Sequence, residues 1–288
     1  MLLKPEHFAG IRINWGDKSQ NLREIAQELN IGVDALAFLD DNPIERQQVR
    51  AALPEVFVLN LPSDPMEFAR VIRDCPVFER LTLSVEDQQR GTMYQAQRKR
   101  EQLEQNITSR EDFYRSLQQE AEISPLTKAN LARIAQLTNK TNQFNLTTRR
   151  YTEQQISELV IQPGWDCYSI RVRDRFGDNG LVGVAIMHQQ GDAAEIDTFL
   201  LSCRVIGRTV ETAFLSFLGS QARTKGAHQL QGWFLPTKKN APARNFYSEH
   251  GFAAVDQNGN GTLWTLELTR DALPAPEWIR LHILNGDQ

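Results

Sequence analysis

The chain has only three cysteines, Cys75, Cys167 and Cys203, in 288 residues. Three thiols cannot build a disulfide framework, so a reducing cytoplasm is expected. No apolar run in the sequence approaches the roughly 20 residues that span a bilayer. The N-terminal stretch MLLKPEHFAG lacks the long apolar core of a secretory signal. Neither sign of charge dominates: 32 Lys and Arg against 36 Asp and Glu leave a net −4, which argues against general nucleic-acid binding. His188, His228 and His250 stand at no metal-ligand spacing. With these classes set aside, 41% apolar and 24% charged residues describe an ordinary globular chain with room for one large domain or two.

The first 75 residues pattern as α/β. Apolar residues Leu22, Ile25, Ala26 and Leu29 recur at helical spacing over Lys18 to Leu29. Ala35 to Leu39 is a short apolar run that enters Asp40-Asp41-Asn42-Pro43, Ile44 to Leu53 returns as a helix, and Glu55 to Leu61 alternates as a strand. Residues 76–122 are polar and helical, with helix starts at Ser84 and at Thr108 or Ser109, and are expected to connect two domains. From 123 onward the pattern changes. Helices are expected over Lys128 to Leu137 and Thr152 to Val160, around an amide-rich loop, Asn139 to Tyr151. Strands are expected over Cys167 to Arg173, Leu181 to His188, Ala194 to Leu201, His228 to Leu235 and Thr262 to Leu268, with Asp178-Asn179-Gly180 turning between the first two.

The densest chemistry lies between 199 and 252. An apolar strand hands over through Arg204-Val205-Ile206-Gly207-Arg208-Thr209 to an amphipathic helix, Val210 to Arg223. A helix N-terminus presents unpaired N–H groups and a positive dipole end, which suits a phosphate, and glycine lets the backbone approach a ligand closely. This turn resembles the coenzyme-A loop of GNAT acyltransferases, Gln/Arg-x-x-Gly-x-Gly/Ala, with Thr209 in place of the final small residue. Asn240-x-x-Ala243-x-x-Phe246-Tyr247-x-x-x-Gly251-Phe252 resembles the C-terminal motif of the same family, and the order of elements matches.

The first 75 residues resemble another family. Ile13-Asn14-Trp15-Gly16-Asp17-Lys18 and Phe38-Leu39-Asp40-Asp41-Asn42-Pro43-Ile44-Glu45-Arg46 are similar to the FkbH-like branch of the HAD phosphatase superfamily. Proteins of that branch join an HAD domain to a GNAT-like domain. Leu137 to Asn145 and Leu201 to Arg208 look like further hallmarks of it. The resemblance implies an α/β and α+β organisation: a partial HAD-like segment at 1–75, a helical linker at 76–122 and a GNAT-like acyltransferase domain with a mixed sheet at 123–288. Asp40 and Asp41 would be Mg²⁺ ligands as a relic or a half-site, with Lys18 on a phosphate. The Asp-x-Asp nucleophile motif is absent from these 75 residues, so phosphatase activity is not expected from this chain alone, and its sheet is expected to leave an apolar face open to association. The plain alternative is that Asp40 to Pro43 only cap a helix.

The resemblance further implies loading of a glyceryl group, from a phosphorylated glycerate, onto an acyl carrier protein through a phosphopantetheine thiol. In a GNAT fold neighbouring strands part near Cys203, and the thioester lies in the gap. Flanked by Arg204 and Arg208, Cys203 is the candidate nucleophile, and Tyr247 is the candidate acid for a leaving thiolate. Arg204, Gly207, Arg208 and Thr209 would hold the phosphates of coenzyme A or of a carrier-bound arm, and Asn240 the pantetheine. Each has an ordinary structural counterpart: a small core thiol, a packed ring, a helix cap. Between 201 and 250 seven basic residues face two acidic ones, a local excess that suits a phosphate or an acidic partner. An N-acyltransferase using acetyl-CoA on an amine and a non-catalytic carrier-docking module remain as alternatives.

Overall fold

A computed structural model describes residues 4, 7–29, 31–79, 90–269 and 273–284. The chain divides into two compact units, 1–98 and 99–288. The division falls inside a helix, α4 (Arg90–Asn106). The helix start expected at Ser84 lies outside the described residues.

In the first unit, α1 (Lys18–Glu28) begins where the Asp17 side chain accepts from Gln20 N. Strand β1 (Ala37–Phe38) pairs in parallel with β2 (Phe57–Val58). Between them α2 (Pro43–Ala52) starts with Asn42 accepting from Ile44 N and Pro43 in the first turn. Val49, Leu53 and Val56 form the buried cluster, with Leu22, Leu36 and Phe38 against it. Ile13, Trp15, Ile44 and Met66 are exposed apolar residues of this unit. A short helix, α3 (Phe68–Arg73), follows.

The second unit is a mixed α/β domain on one sheet of nine strands. Helix α5 (Arg110–Leu117) is capped by Ser109, whose hydroxyl accepts from Asp112 N. Gln118 then adopts a left-handed φ of 53° and turns the chain directly into β3 (Gln119–Pro125). Its first four residues, Gln119 to Glu122, fall in the stretch 76–122 that the sequence pattern marks as a helical connector. The strand alternates instead, with Gln119, Ala121 and Ile123 buried. Next come α6 (Leu131–Lys140), β4 (Phe144–Asn145), α7 (Glu153–Ile161), β5 (Trp165–Asp174), β6 (Gly177–Gln190) and β7 (Ala193–Leu201). They are followed by α8 (Val210–Thr224), β8 (Gln229–Phe234), α9 (Phe246–Glu249), β9 (Ala253–Asn258), β10 (Gly261–Glu267) and β11 (Ile279–Ile283). The strand order is β11-β3-β5-β6-β7-β8-β10-β9, with β4 paired to β7 off this path. Pairs β7–β8 and β11–β3 are parallel and the other pairs antiparallel.

The β5–β6 hairpin turns at Arg175-Phe176, not at Asp178-Asn179-Gly180. Asp174 Oδ1 accepts from Phe176 N and closes that turn, while Asp178 Oδ1 accepts from Gly180 N inside β6. Along β7, Phe199 and Leu201 enter one core cluster with Val210, Phe214 and Leu218 of α8. Leu200, between them, enters a second with Ile134 of α6 and Ile156 of α7. Consecutive strand residues thus serve opposite faces of the sheet. Cys75 and Cys167 are buried, as expected of core thiols.

Candidate active site

β7 and β8 run in parallel register only from Ala193↔Gln229 to Ile196↔Gly232. Beyond Ile196 they part. At the same place the register of β7 against β6 skips a residue, from Met187↔Ile196 to Ile186↔Thr198, so Asp197 sits in a β-bulge. The space between the parted strands holds part of the amide-rich loop. Phe144 and Asn145 pair with Leu201 and Leu200. Leu146 N donates to Phe199 O at 3.1 Å, and Leu235 N donates to Leu146 O at 2.8 Å. Residues 144–146 are therefore a backbone bridge from β7 to the end of β8.

Asn240 holds that bridge in place. Its Nδ2 donates to Asn145 O and to Leu235 O, both at 2.9 Å, and its Oδ1 accepts from Thr237 N at 2.7 Å. The side chain is fully buried. The pantetheine contact expected of Asn240 is corrected on this ground: its donors already serve the chain. The loop is closed further by Asn145 Oδ1, which accepts from Thr148 N at 2.8 Å, and by Arg150 Nη2, which donates to Asn142 Oδ1 at 2.7 Å.

Asp197 is a site residue that sequence reasoning missed. It is buried and accepts at Oδ2 from Tyr151 OH at 2.7 Å and from Thr198 Oγ1 at 2.9 Å. Arg149 pairs with its other oxygen. Burial raises the Tyr151 phenol above its ordinary range, with the Arg149 charge opposing. One signal was present: a lone carboxylate inside the apolar run Ile196 to Leu201, which only pairing makes tolerable at that depth.

The turn from Cys203 to Thr209 joins β7 to α8, and its side chains are engaged within the chain. Cys203 opens a short 3₁₀ turn, Cys203–Val205, just past the end of β7. It is half-buried, unlike the other two cysteines. Gly207 has φ 76° and Thr209 φ 62°, so two left-handed residues bring the backbone around to α8. Arg204 Nη1 donates to Asn179 O at 3.1 Å. Arg208 is turned into the fold. It is buried, with Nη1 2.8 Å from Asp174 Oδ2, and the same carboxylate takes a bidentate pair from buried Arg100 at 2.7 and 3.0 Å. Burial and then the Arg100 charge pull the Arg208 guanidinium down to about 10, against the attraction of Asp174. The phosphate role expected of Arg208 is thereby corrected to a buried ion-pair role. Thr209 offers no cap to α8; its Oγ1 accepts from Trp278 Nε1 at 2.7 Å. Tyr114 OH donates to Gly207 O at 3.2 Å.

Glu211, in the first turn of α8, faces the same turn. Backbone N–H groups of Glu211 itself, Thr209 and Gly207 act on its carboxyl electrostatically. Its Oε2 is buried without a hydrogen-bond partner. Burial pushes this carboxyl up, while those N–H groups and Arg208 pull it down.

Tyr247 is a further correction. It is buried, its hydroxyl has no hydrogen-bond partner, and burial pushes the phenol far above its ordinary range. A Cβ on Gly232 would meet Tyr247 OH at 1.9 Å, so the ring packs against bare backbone of β8. Phe246 and Phe252 flank it at ring-centroid distances of 5.4 and 4.9 Å. A general acid needs access to the reacting group; this residue is core.

The basic excess is dispersed in the same way. Lys225 pairs with Asp166, and Arg223 donates to Thr269 O. Lys238, Lys239 and Arg244 are exposed after β8. A cavity of about 300 Å³ is lined by Asn142, Thr148, Arg150, Thr237, Lys238 and Lys239.

In the first unit, Lys18 starts α1. Asp40 Oδ1 accepts from Asn42 N, Asn42 caps α2, and Arg46 Nη1 donates to the carbonyls of Asp40 and Asp41. Among the described residues no three His, Cys, Asp or Glu groups gather to hold a metal. Asp40 and Asp41 bring two carboxylates, and Mg²⁺ is ordinarily held by one or two of these with water and phosphate oxygens completing its shell.

No protein-family model matches the chain. No curated protein matches it either. Among solved structures it is similar to the ribosomal-protein-S18-alanine N-acetyltransferase of Escherichia coli, with TM-score 0.40 and 15% identity over 55% of this chain and 97% of that one. It is similar to the PaiA N-acetyltransferase of Thermoplasma acidophilum in complex with coenzyme A, with TM-score 0.39 and 14% identity over 51% and 98%. It is also similar to the N-terminal part of a Bacteroides fragilis protein containing a phosphatase domain complexed with Mg, with TM-score 0.28 and 41% identity over 29% of this chain and 22% of that one.

Proposed function

We propose that the second unit is an acyltransferase that passes a small hydroxyacyl group, of the glyceryl class, through Cys203 to the phosphopantetheine thiol of an acyl carrier protein. The observation that carries this is the position of Cys203. It is the one half-buried thiol, and it stands just past the end of β7, beyond the point where β7 and β8 part. The hallmark stretches Leu137 to Asn145 and Leu201 to Arg208 support it further, because the sheet pairs them through β4 and β7.

In the first step the Cys203 thiolate attacks the acyl carbon of a donor thioester. A new C–S bond forms, the donor C–S bond breaks, the electron pair leaves on the donor sulfur, and the proton that the Cys203 thiol released on ionising ends there. In the second step the carrier's thiolate attacks the Cys203 thioester, and the electron pair and the carrier's proton return to Cys203. Arg208, which donates to Arg204 O, ties the turn that carries Cys203 to the buried Arg100–Asp174–Arg208 cluster.

Intact-protein mass spectrometry tests this. Incubation with a glyceryl thioester is expected to add one glyceryl mass to the wild type and none to Cys203→Ser, and holo-carrier protein is expected to remove it. Equal labelling of wild type and Cys203→Ser would refute the relay. Asp197, buried where the strands part, favours a second reading in which a base serves an amine acceptor and acetyl-CoA is the donor. That alternative requires transfer that survives Cys203→Ser.

A further inference from the structure

We infer that the cavity between the amide-rich loop and the end of β8 is a binding site for a small phosphate dianion, and that its occupancy braces the backbone bridge across the β7–β8 gap. The site stands whether or not Cys203 carries an acyl group.

The cavity measures about 300 Å³, and its walls are Asn142, Thr148, Arg150, Thr237, Lys238 and Lys239. Three of these six side chains are cations, two bring hydroxyls and one an amide. Among the described residues that line it, none is acidic and none is aromatic. The same charge runs along the two segments that form the walls. Residues 139–151 hold Lys140, Arg149 and Arg150, and residues 235–244 hold Lys238, Lys239 and Arg244, with no Asp or Glu in either. Arg149 is engaged by Asp197. The chain as a whole carries a net −4, so the excess is local. A cleft lined by one sign of charge concentrates ions of the other.

The donors are fixed in place. Arg150 Nη1 donates to the carbonyls of Thr138 and Asn139, and Nη2 to Asn142 Oδ1. These acceptors are neutral, so the bonds hold the guanidinium without cancelling its charge. The Thr237 hydroxyl accepts from Lys239 N at 3.3 Å and from Asn240 N at 3.2 Å, which leaves its own O–H as a donor. Cations with hydroxyl and amide donors beside them suit a tetrahedral oxyanion, and three cations favour a doubly charged one. With no ring to stack on, the site has nothing for a nucleoside. Its ligand is inorganic phosphate or a monoester of a few atoms.

Both walls are tied to the bridge. Thr148 N donates to Asn145 Oδ1, and Thr237 N donates to Asn240 Oδ1, whose Nδ2 donates to Asn145 O. The cations repel one another until an anion neutralises them. An anion bound to both walls therefore joins 142–150 to 237–239, and an ion that binds the closed arrangement alone stabilises it.

Calorimetric titration of the full chain with inorganic phosphate at fixed ionic strength tests the site. Wild type is expected to bind one equivalent, and the double variant Lys238→Gln, Lys239→Gln to bind at least about tenfold more weakly. Both lysines are exposed, and circular dichroism checks that the fold is kept. Lys225→Gln, which removes a cation paired with Asp166 outside the cavity, is expected to bind as wild type does. Methyl phosphate, titrated in parallel, separates the two sources: tighter binding than inorganic phosphate assigns the site to an organic monoester, weaker binding to free phosphate. Phosphate is expected to slow hydrogen exchange of the Leu146 and Leu235 amides in wild type and not in the double variant. Absence of saturable binding, or equal binding by wild type and the double variant, would overturn the site, as would an equal loss in Lys225→Gln. Binding that leaves those two amides unchanged would overturn the brace.

Discussion

In residues 1–98 the buried cluster is Val49, Leu53 and Val56 beneath a sheet of two short strands, whereas residues 99–288 bury two large clusters on opposite faces of nine strands. The first unit relies on local devices. Asp17 and Asn42 cap its helices, and Arg12 and Arg98 both pair with Glu28. Partly exposed pairs of that kind contribute about 0–1 kcal/mol each. The second unit relies on contacts distant in sequence, and it alone places a half-buried thiol, a buried carboxylate in a bulge and a turn at a helix start on neighbouring segments. Chemistry collects where packing is strong enough to hold polar groups at depth.

The largest expected effect falls on the buried charges of the second unit. Asp174→Asn leaves Arg100 and Arg208 buried without their carboxylate and is expected to cost about 3–5 kcal/mol in chemical denaturation. Burial disfavours the ionised Asp174, and Arg100 and then Arg208 outweigh it, so the folded carboxyl titrates below its ordinary 3.8. Its contribution is therefore present above that value and disappears as pH falls through the lower folded one. Acid titration of wild type is expected to show this loss, and Asp174→Asn is expected to lack it.

Core truncations sharpen the contrast between the units. Phe214→Ala, in the larger cluster, is expected to cost about 3–5 kcal/mol, and Leu53→Ala, in the small one, about 2 kcal/mol. Hydrogen exchange locates each loss. Leu53→Ala is expected to speed exchange in 31–59 and leave β5 to β7 protected. Equal deprotection of both regions would mean that the two units unfold as one.

A smaller effect is expected from Asn240→Ala. It strands the carbonyls of Asn145 and Leu235 and the Thr237 amide, at about 1–3 kcal/mol. Faster exchange of the Leu146 and Leu235 amides would show that the bridge across the gap has loosened. Unchanged exchange would show that Asn240 does not hold it.

Elements with strong local periodicity were legible in the sequence: α1, α2, α8, and the strands from β5 to β8. β3 was hidden because its mixed composition, QEAEISP, follows α5 through a left-handed Gln118 rather than a glycine. β4 was hidden because a pair of residues in an amide-rich loop becomes a strand only against β7. At the site, Gly207 and the thiol after β7 were legible from the turn itself. The fates of Arg208 and Asn240 were not, since their deciding partners lie 34 and 95 residues away. Tyr247 was misassigned for the same reason: nothing near it in sequence reveals that Gly232 leaves room for its ring.

The most direct test is a single-turnover discharge of glyceryl-loaded protein by holo-carrier protein, followed by loss of the Cys203 adduct in the mass spectrum. The account expects the carrier to clear the adduct. An adduct that the carrier does not remove would contradict it.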